Sequence, residues 1–263
     1  MVLEAARNVA CSGARPIALV NCLNFGNPEH PEVMWQFSEV VEGMSEACEA
    51  LGIPVIGGNV SFYNASGDED IDPTPVAGVV GLIDELHDRP PGASLRAGDD
   101  IVVLGEIRPA LGGSEWAAVV HGLDGGMPPV ADLDRGRAVH ELVASLVRDR
   151  AITGVHDVSD GGLAVALAEM AVAGQVGIRV ELYFDGCTPA EVCFGEPASV
   201  VVCGVNPHET AAVCGAAAAA GVPARVVGVA AGDRLVAKGA FDVALADATH
   251  AWRDALPLLM RPQ

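Results

Sequence analysis

Residues 19–64 constrain the fold of this chain more than any other stretch. They read LVNCLNFGNP at one end and GIPVIGGNVSFYN at the other, with one long amphipathic segment between. Each end is an apolar run that stops abruptly in Asn, Gly and Ser. Such runs predict buried strands, near 16–20 and 54–56, whose carboxyl ends open into a site. In open α/β sheets that is where ligands sit. Between them Val33, Met34, Phe37, Val40, Val41, Met44, Ala47, Cys48 and Leu51 recur at helical spacing, and Gly52 caps the helix. The two polar ends suggest one pocket, suited to a phosphate-bearing ligand.

Around this unit the pattern stays α/β. Residues 2–12 are rich in helix formers, with Gly13 as a cap. No strand precedes that helix, so its apolar side and the edge of strand 16–20 are expected to lie bare or to be covered by a partner. Residues 65–72 form an acidic loop and 74–83 a further strand. The polar stretch 84–99, with Pro90-Pro91, Gly92 and Gly98, is the natural boundary. It divides a unit over 1–86 from one over 99–263, with 87–98 as linker. In the second unit strands are expected at 100–105, 151–156, 176–182, 198–205, 224–230 and 234–237. Helices are expected at 114–121, 134–149, 163–173, 208–220 and 250–259. The fold class is α/β, with α+β-like mixed sheets.

Composition narrows the function. A net charge of −20 argues against holding a nucleic-acid backbone or an anionic membrane by bulk electrostatics. A local anion site remains open to backbone N–H groups. The chain is 51% hydrophobic but only 4% aromatic, so its core is built from Ala, Val, Leu and Ile. The seven cysteines form no CxxC pair and read as free thiols of a reducing compartment. No apolar run reaches the ~18 residues of a membrane span, and a cytoplasmic location is expected.

Three stretches could carry chemistry. Gly57-Gly58-Asn59-Val60-Ser61 combines close backbone approach, an amide oxygen for a hard cation and a hydroxyl for phosphate, although a plain turn has the same composition. Asn21 to Asn27 offers amide donors and acceptors, or merely a capped loop. In His156-Asp157-Val158-Ser159-Asp160-Gly161-Gly162, the pair Asp157 and Asp160 flank Ser159, and Gly161-Gly162 lead into a helix. That is an anion or metal site, or simply an N-cap. LGGSE at 111–115 and FGEP at 194–197 read as turns.

Taken in order, LVNCLNFGNPEHPEVMW, GIPVIGGNVSFYN, PTPVAGVVG, LGGSEW, GVHDVSDGGLAVALAE and FGEP resemble the carboxyl-terminal part of phosphoribosylformylglycinamidine synthase, the large synthetase subunit of purine biosynthesis. The resemblance covers nearly the whole chain. It implies the superfamily shared with aminoimidazole ribonucleotide synthetase, here as a partial amino-terminal ATP-binding domain followed by a carboxyl-terminal α/β domain. The implied reaction is ATP-dependent amidation of formylglycinamide ribonucleotide by glutamine-derived ammonia, through an iminophosphate, with ATP and Mg²⁺ as cofactors. By the same resemblance Asn21 and Gly58 contact ATP, Asn59 ligates Mg²⁺, and Ser61 contacts the substrate phosphate. The family usually has Asp where Asn21 stands, so an acceptor oxygen is kept and a charge lost.

The family's catalytic His and most of its Mg²⁺ carboxylates fall outside the part resembled, so no catalytic residue is assigned within this chain. The partners implied are the missing amino-terminal half of the synthetase, a glutaminase subunit and a small bridging subunit. Two other readings compete: a non-catalytic auxiliary nucleotide-binding module, structural within the larger synthetase, and another ATP-using member of the superfamily.

Overall fold

The computed structural model describes residues 1–86, 88–108, 111–123 and 125–260. The first unit runs α1 (Val2–Cys11), β1 (Arg15–Asn24), α2 (Pro31–Leu51), β2 (Val55–Ser61), a short hairpin β3 (Ala65–Ser66) and β4 (Glu69–Asp70), and β5 (Thr74–Leu82). Strand β1 lies between β2, its parallel partner, and β5, its antiparallel one. Helix α2 ends at Gly52, whose φ of 66° favours a residue without a side chain. The helix covers one face of this sheet: Leu19, Leu23 and Phe25 pack against Val33, Met44, Ala47 and Cys48. Phe25, Phe37 and Phe62 add edge-on ring contacts.

Three expectations are corrected here. Strands β1 and β2 run on through Asn24 and Ser61, so the polar tips are strand and not loop. Their ladder continues in register from Val20↔Gly57 to Asn24↔Ser61, which satisfies backbone groups that a loop would leave to solvent. Strand β2 is not buried: it is an edge strand, and Val55, Ile56 and Val60 are exposed. Helix α1 is not bare, because Val2, Leu3, Ala6 and Ala10 are buried and the helix packs against β5 and against a helix of the second unit. Nor is β1 an edge. What stands open is the sheet face turned away from α2, with Val20, Val76 and Val80 exposed on it.

The second unit contains β6 (Asp100–Leu104), α3 (Glu115–His121), α4 (Leu133–Arg148), β7 (Gly154–Asp157), α5 (Gly162–Gly174), β8 (Ile178–Val180), α6 (Pro189–Phe194), β9 (Val201–Val205), α7 (Thr210–Ala219), β10 (Ala224–Ala230), β11 (Arg234–Ala237), β12 (Phe241–Ala244) and α8 (Leu245–Leu259). The helix that covers α1 is α4. Seven strands form one mixed sheet in the order β12-β11-β8-β10-β6-β9-β7. Its two faces bury separate cores. Ile101 and Val103 pack with Leu163, Leu167 and Met170 of α5. Val102 and Leu104 pack with Val139, Val143 and Leu146 of α4 and Val213 of α7. The unbroken run IVVL follows from that double burial. Helix α6, with a full Thr188–Glu191 capping box, and strand β12 were not foreseen from sequence.

Among the described residues no helix is long and apolar enough to cross a membrane. All seven cysteines are free, and burial pushes the Cys11 thiol up to about 12.

Candidate functional site

Strand alternation decides how the first set of candidates is arranged. Asn21 and Gly58 are register partners on the α2 side of the sheet. The Asn21 amide nitrogen lies 3.4 Å from Met44 Sδ. A Cβ on Gly58 would overlap Asn21 Oδ1, so glycine there is a condition of the pairing. Asn59 and Ser61, one and three residues on, project from the opposite, open face. Asn59 sits beside Cys22, 3.8 Å from its sulfur. Ser61 Oγ donates to Asn64 Oδ1 at 3.2 Å, while the Asn64 amide donates to the carbonyls of Phe25 and Ser61. The four residues are thus neighbours that divide between two faces, so within this chain they do not form the one pocket that the sequence suggests.

The loop after β1 is tied down by the acidic segment. The backbone N–H of Asn27 donates to Asp70 Oδ1 at 2.7 Å, and His30 Nδ1 lies 2.6 Å from Asp70 Oδ2. The hydrogen bond between them raises the His30 pKa and lowers that of Asp70. Asp70 is therefore an anchor, which its place in a run of acidic residues conceals.

The second set converges between the two units. Asp157, at the end of β7, receives Arg7 of α1 at 3.3 Å. The Asn8 amide, oriented with its nitrogen inward, donates to both Asp157 oxygens at 3.0 and 3.1 Å. Arg7 is 3% exposed and also donates to the carbonyls of Ala198 and Val158. Burial opposes ionisation of Asp157, but its hydrogen bond with His156 and the charges of Arg7 and His156 outweigh that and leave its pKa lowered. Burial works against a charge on His156 as well, yet its contacts to Asp157 and Glu169 leave its pKa raised. His156 Nε2 lies 3.0 Å from Glu169 Oε2. Asp157 is thereby committed to joining the units.

Glu196, of the FGEP turn, is the residue that sequence reasoning missed. Its Oε1 accepts from the N–H of Gly161 and of Glu115, each at 2.9 Å, so one carboxylate closes the amino ends of both α5 and α3. Phe194 stacks on Trp116 with centroids 4.1 Å apart. A Cβ on Gly162, whose φ is 72°, would strike the backbone of Phe194 and Gly195. Two motifs that read as turns thus join the 156–162 stretch, read as an anion or metal site or an N-cap, in one assembly. Its signal was a Glu held between Gly195 and Pro197, where no helical neighbour could pair with it.

A cleft of about 620 Å³ opens between this assembly and the first unit. Gly112, Gly113, Ser159, Asp160 and Glu196 line one wall, and residues of α1 and α2, Met44 among them, line the other. Ser159 and Asp160 therefore reach the cleft; Asn59 and Ser61 lie across the sheet from it. Among the described residues no group of three or more His, Cys, Asp or Glu is placed to hold a metal. Asn59 offers one neutral oxygen, which suits Mg²⁺ only where phosphate, water or other chain completes its shell.

Comparison with known proteins identifies the scaffold. Residues 96–238 match the family described as AIR synthase related protein, C-terminal domain, and residues 1–83 match AIR synthase related protein, N-terminal domain. The chain belongs to the AIR synthase related family. This AIR synthase related chain is 46% identical over 263 residues to phosphoribosylformylglycinamidine synthase subunit PurL of Moorella thermoacetica, covering 98% of itself and 36% of that protein. It is 46% identical over 260 residues to the subunit of the same name from Thermobifida fusca, covering 97% and 34%. It thus spans about a third of the length of the curated relatives it matches. Among solved structures, T. maritima PurL complexed with FGAR superposes with a TM-score of 0.71 at 19% identity, over 94% of this chain and 43% of that one. E. coli HypE, a hydrogenase maturation protein, does so at 0.66 and 20%, over 92% and 77%. These likenesses establish the AIR synthase fold, as the mixed sheets and the resemblance implied.

Proposed function

We propose that this chain is part of a phosphoribosylformylglycinamidine synthase, in which 1–86 forms an amino-terminal-type nucleotide-binding domain, 87–98 a linker and 99–263 the carboxyl-terminal-type domain. The whole enzyme converts formylglycinamide ribonucleotide and glutamine-derived ammonia, with ATP, to formylglycinamidine ribonucleotide through an iminophosphate, in the cytoplasm. The observation that carries this reading is the β1–β2 ladder, which fixes Asn21 against Gly58 and sets Asn59 and Ser61 side by side on the open face. In this reading Asn21 and Gly58 contact ATP. Ser61 holds the substrate phosphate by its hydroxyl, and Asn59 turns its amide oxygen to Mg²⁺. The cation, when bound, neutralises charge on the polyphosphate. The open face is where the remaining length of the synthetase packs and completes the site. A glutaminase subunit and a small bridging subunit would supply ammonia.

A chimera tests this reading: the M. thermoacetica subunit with its matching third replaced by this chain, assayed for ammonia-dependent ADP formation with formylglycinamide ribonucleotide. Turnover is expected in the chimera and not in the isolated chain, and Ser61→Ala is expected to lower kcat/KM by about 10- to 100-fold. A chain active alone, or a chimera indifferent to Ser61→Ala and Asn59→Ala, would remove the proposal.

One observation favours the auxiliary-module reading. The open 620 Å³ cleft is lined by residues of this chain, Ser159 and Asp160 among them, just before the Gly161-Gly162 turn at the amino end of α5. A structural nucleotide there would copurify and survive dialysis, whereas a substrate would exchange.

A further inference from the structure

A second cavity, of about 290 Å³, lies where the turn into β1 and the carboxyl end of α2 meet α4. Its lining concentrates positive charge in a chain whose net charge is −20: Arg15 from β1, and Arg137 and Arg148 from α4, against the single carboxylate of Glu141. Arg15 has no ion pair or side-chain hydrogen bond among the described residues. Arg148 donates to the Gly13 carbonyl at 3.3 Å and meets no carboxylate. Arg137 reaches the Ala50 carbonyl and the exposed Asp134, each at 3.4 Å. Gly52 leaves its side of the mouth without a side chain.

His140 also lines the cavity. It is 4% exposed, and its Nε2 is buried without a hydrogen-bond partner. Burial, with the nearby Arg7 charge, pushes its pKa down to about 4, so the ring is neutral at pH 7 and the positive charge of the lining comes from the arginines. Guanidinium groups gathered at one seam repel each other, and an anion would relieve that. A cation would meet one carboxylate and the surrounding arginines.

We propose that this cavity binds a small phosphorylated anion of the pyrophosphate class, held by Arg15, Arg137 and Arg148. Guanidinium forks match phosphoryl oxygens in pairs, and two linked phosphoryl groups offer enough oxygens for the whole ring. Arg15 and Gly52 come from the first unit and the other ligands from α4, so the bound anion clamps the two units across their seam. The site is separate from Asn59 and Ser61 and does not depend on the synthetase reading.

The test is calorimetric titration of the purified chain with inorganic pyrophosphate at low ionic strength, beside thermal melts. Saturable binding and a raised melting temperature are expected. Arg15→Gln with Arg148→Gln, both at exposed positions, should weaken binding at least about tenfold, while Arg253→Gln on α8 leaves it unchanged. The His140 ring resonances should shift on saturation. Absence of saturable binding up to about 10 mM would overturn the proposal. So would binding that survives the double Arg substitution but is lost in Ser61→Ala.

Discussion

A single absent carbon sets the geometry of the strand tips. Gly58 faces Asn21 across the ladder, and any side chain there would occupy the space of the Asn21 amide oxygen. Gly58→Ala is therefore expected to destabilise the chain by about 1–3 kcal/mol in urea unfolding, as overpacking does. Asn21→Ala in the same background should restore most of the loss; a double mutant no better than the single would locate the strain elsewhere. His140 makes the other residue-scale prediction. Its folded pKa of about 4 lies below the ordinary 6.5, so the unfolded chain takes up a proton first as pH falls. Stability attributable to His140 is intact above pH 6.5 and is lost between there and pH 4, to the extent of about 2 kcal/mol at pH 5. Urea unfolding at pH 7.5 and pH 5 measures this, and His140→Gln should show a correspondingly smaller fall. Equal losses in the two proteins would mean that His140 is not the group responsible.

Elements held by local rules were legible in the sequence, and those held by distant partners were not. The apolar spacing of α2 and the Gly52 cap gave that helix nearly to the residue, and the IVVL run gave β6. The ends of β1 and β2 escaped because what extends them is each other, through pairing that Asn and Gly do not advertise. The same cause hid the anchor at α3 and α5. Glu196 meets Glu115 across 81 residues and Gly161 across 35, separations that leave no periodic trace. Candidate residues at strand tips could be named from composition, but the side of the sheet each occupies required the register. The double cap carries its own prediction. Glu196→Ala leaves two amide donors without their acceptor and should cost about 1–3 kcal/mol, with Glu196→Gln costing less. Hydrogen exchange at the Gly161 and Glu115 amides should quicken together in Glu196→Ala. If only one responds, the carboxylate does not join the two helices.

At the scale of the molecule, apolar surface is distributed unevenly. The seven-stranded sheet buries both faces, whereas the three-stranded sheet buries one and leaves Val20, Val76 and Val80 exposed by 40%, 53% and 47%. The β1–β5 register sets these valines on neighbouring positions of one face, with Val20 opposite Gly78 and Val76 and Val80 on either side of that glycine. A contiguous apolar sheet surface of this kind recruits a cover or self-associates. The purified chain is therefore expected to bind an apolar dye and to show concentration-dependent light scattering. Replacing all three valines by threonine keeps the β-branched shape, so strand propensity is retained while the patch is lost. That variant should lower both signals and change stability by no more than about 0.5 kcal/mol per site, as substitutions of exposed side chains usually do. In the chimera with the M. thermoacetica subunit, dye binding should already be low with the valines in place, because the added length covers them. A chimera that is active yet still binds dye through these valines would separate the patch from assembly, and the open face would need another occupant.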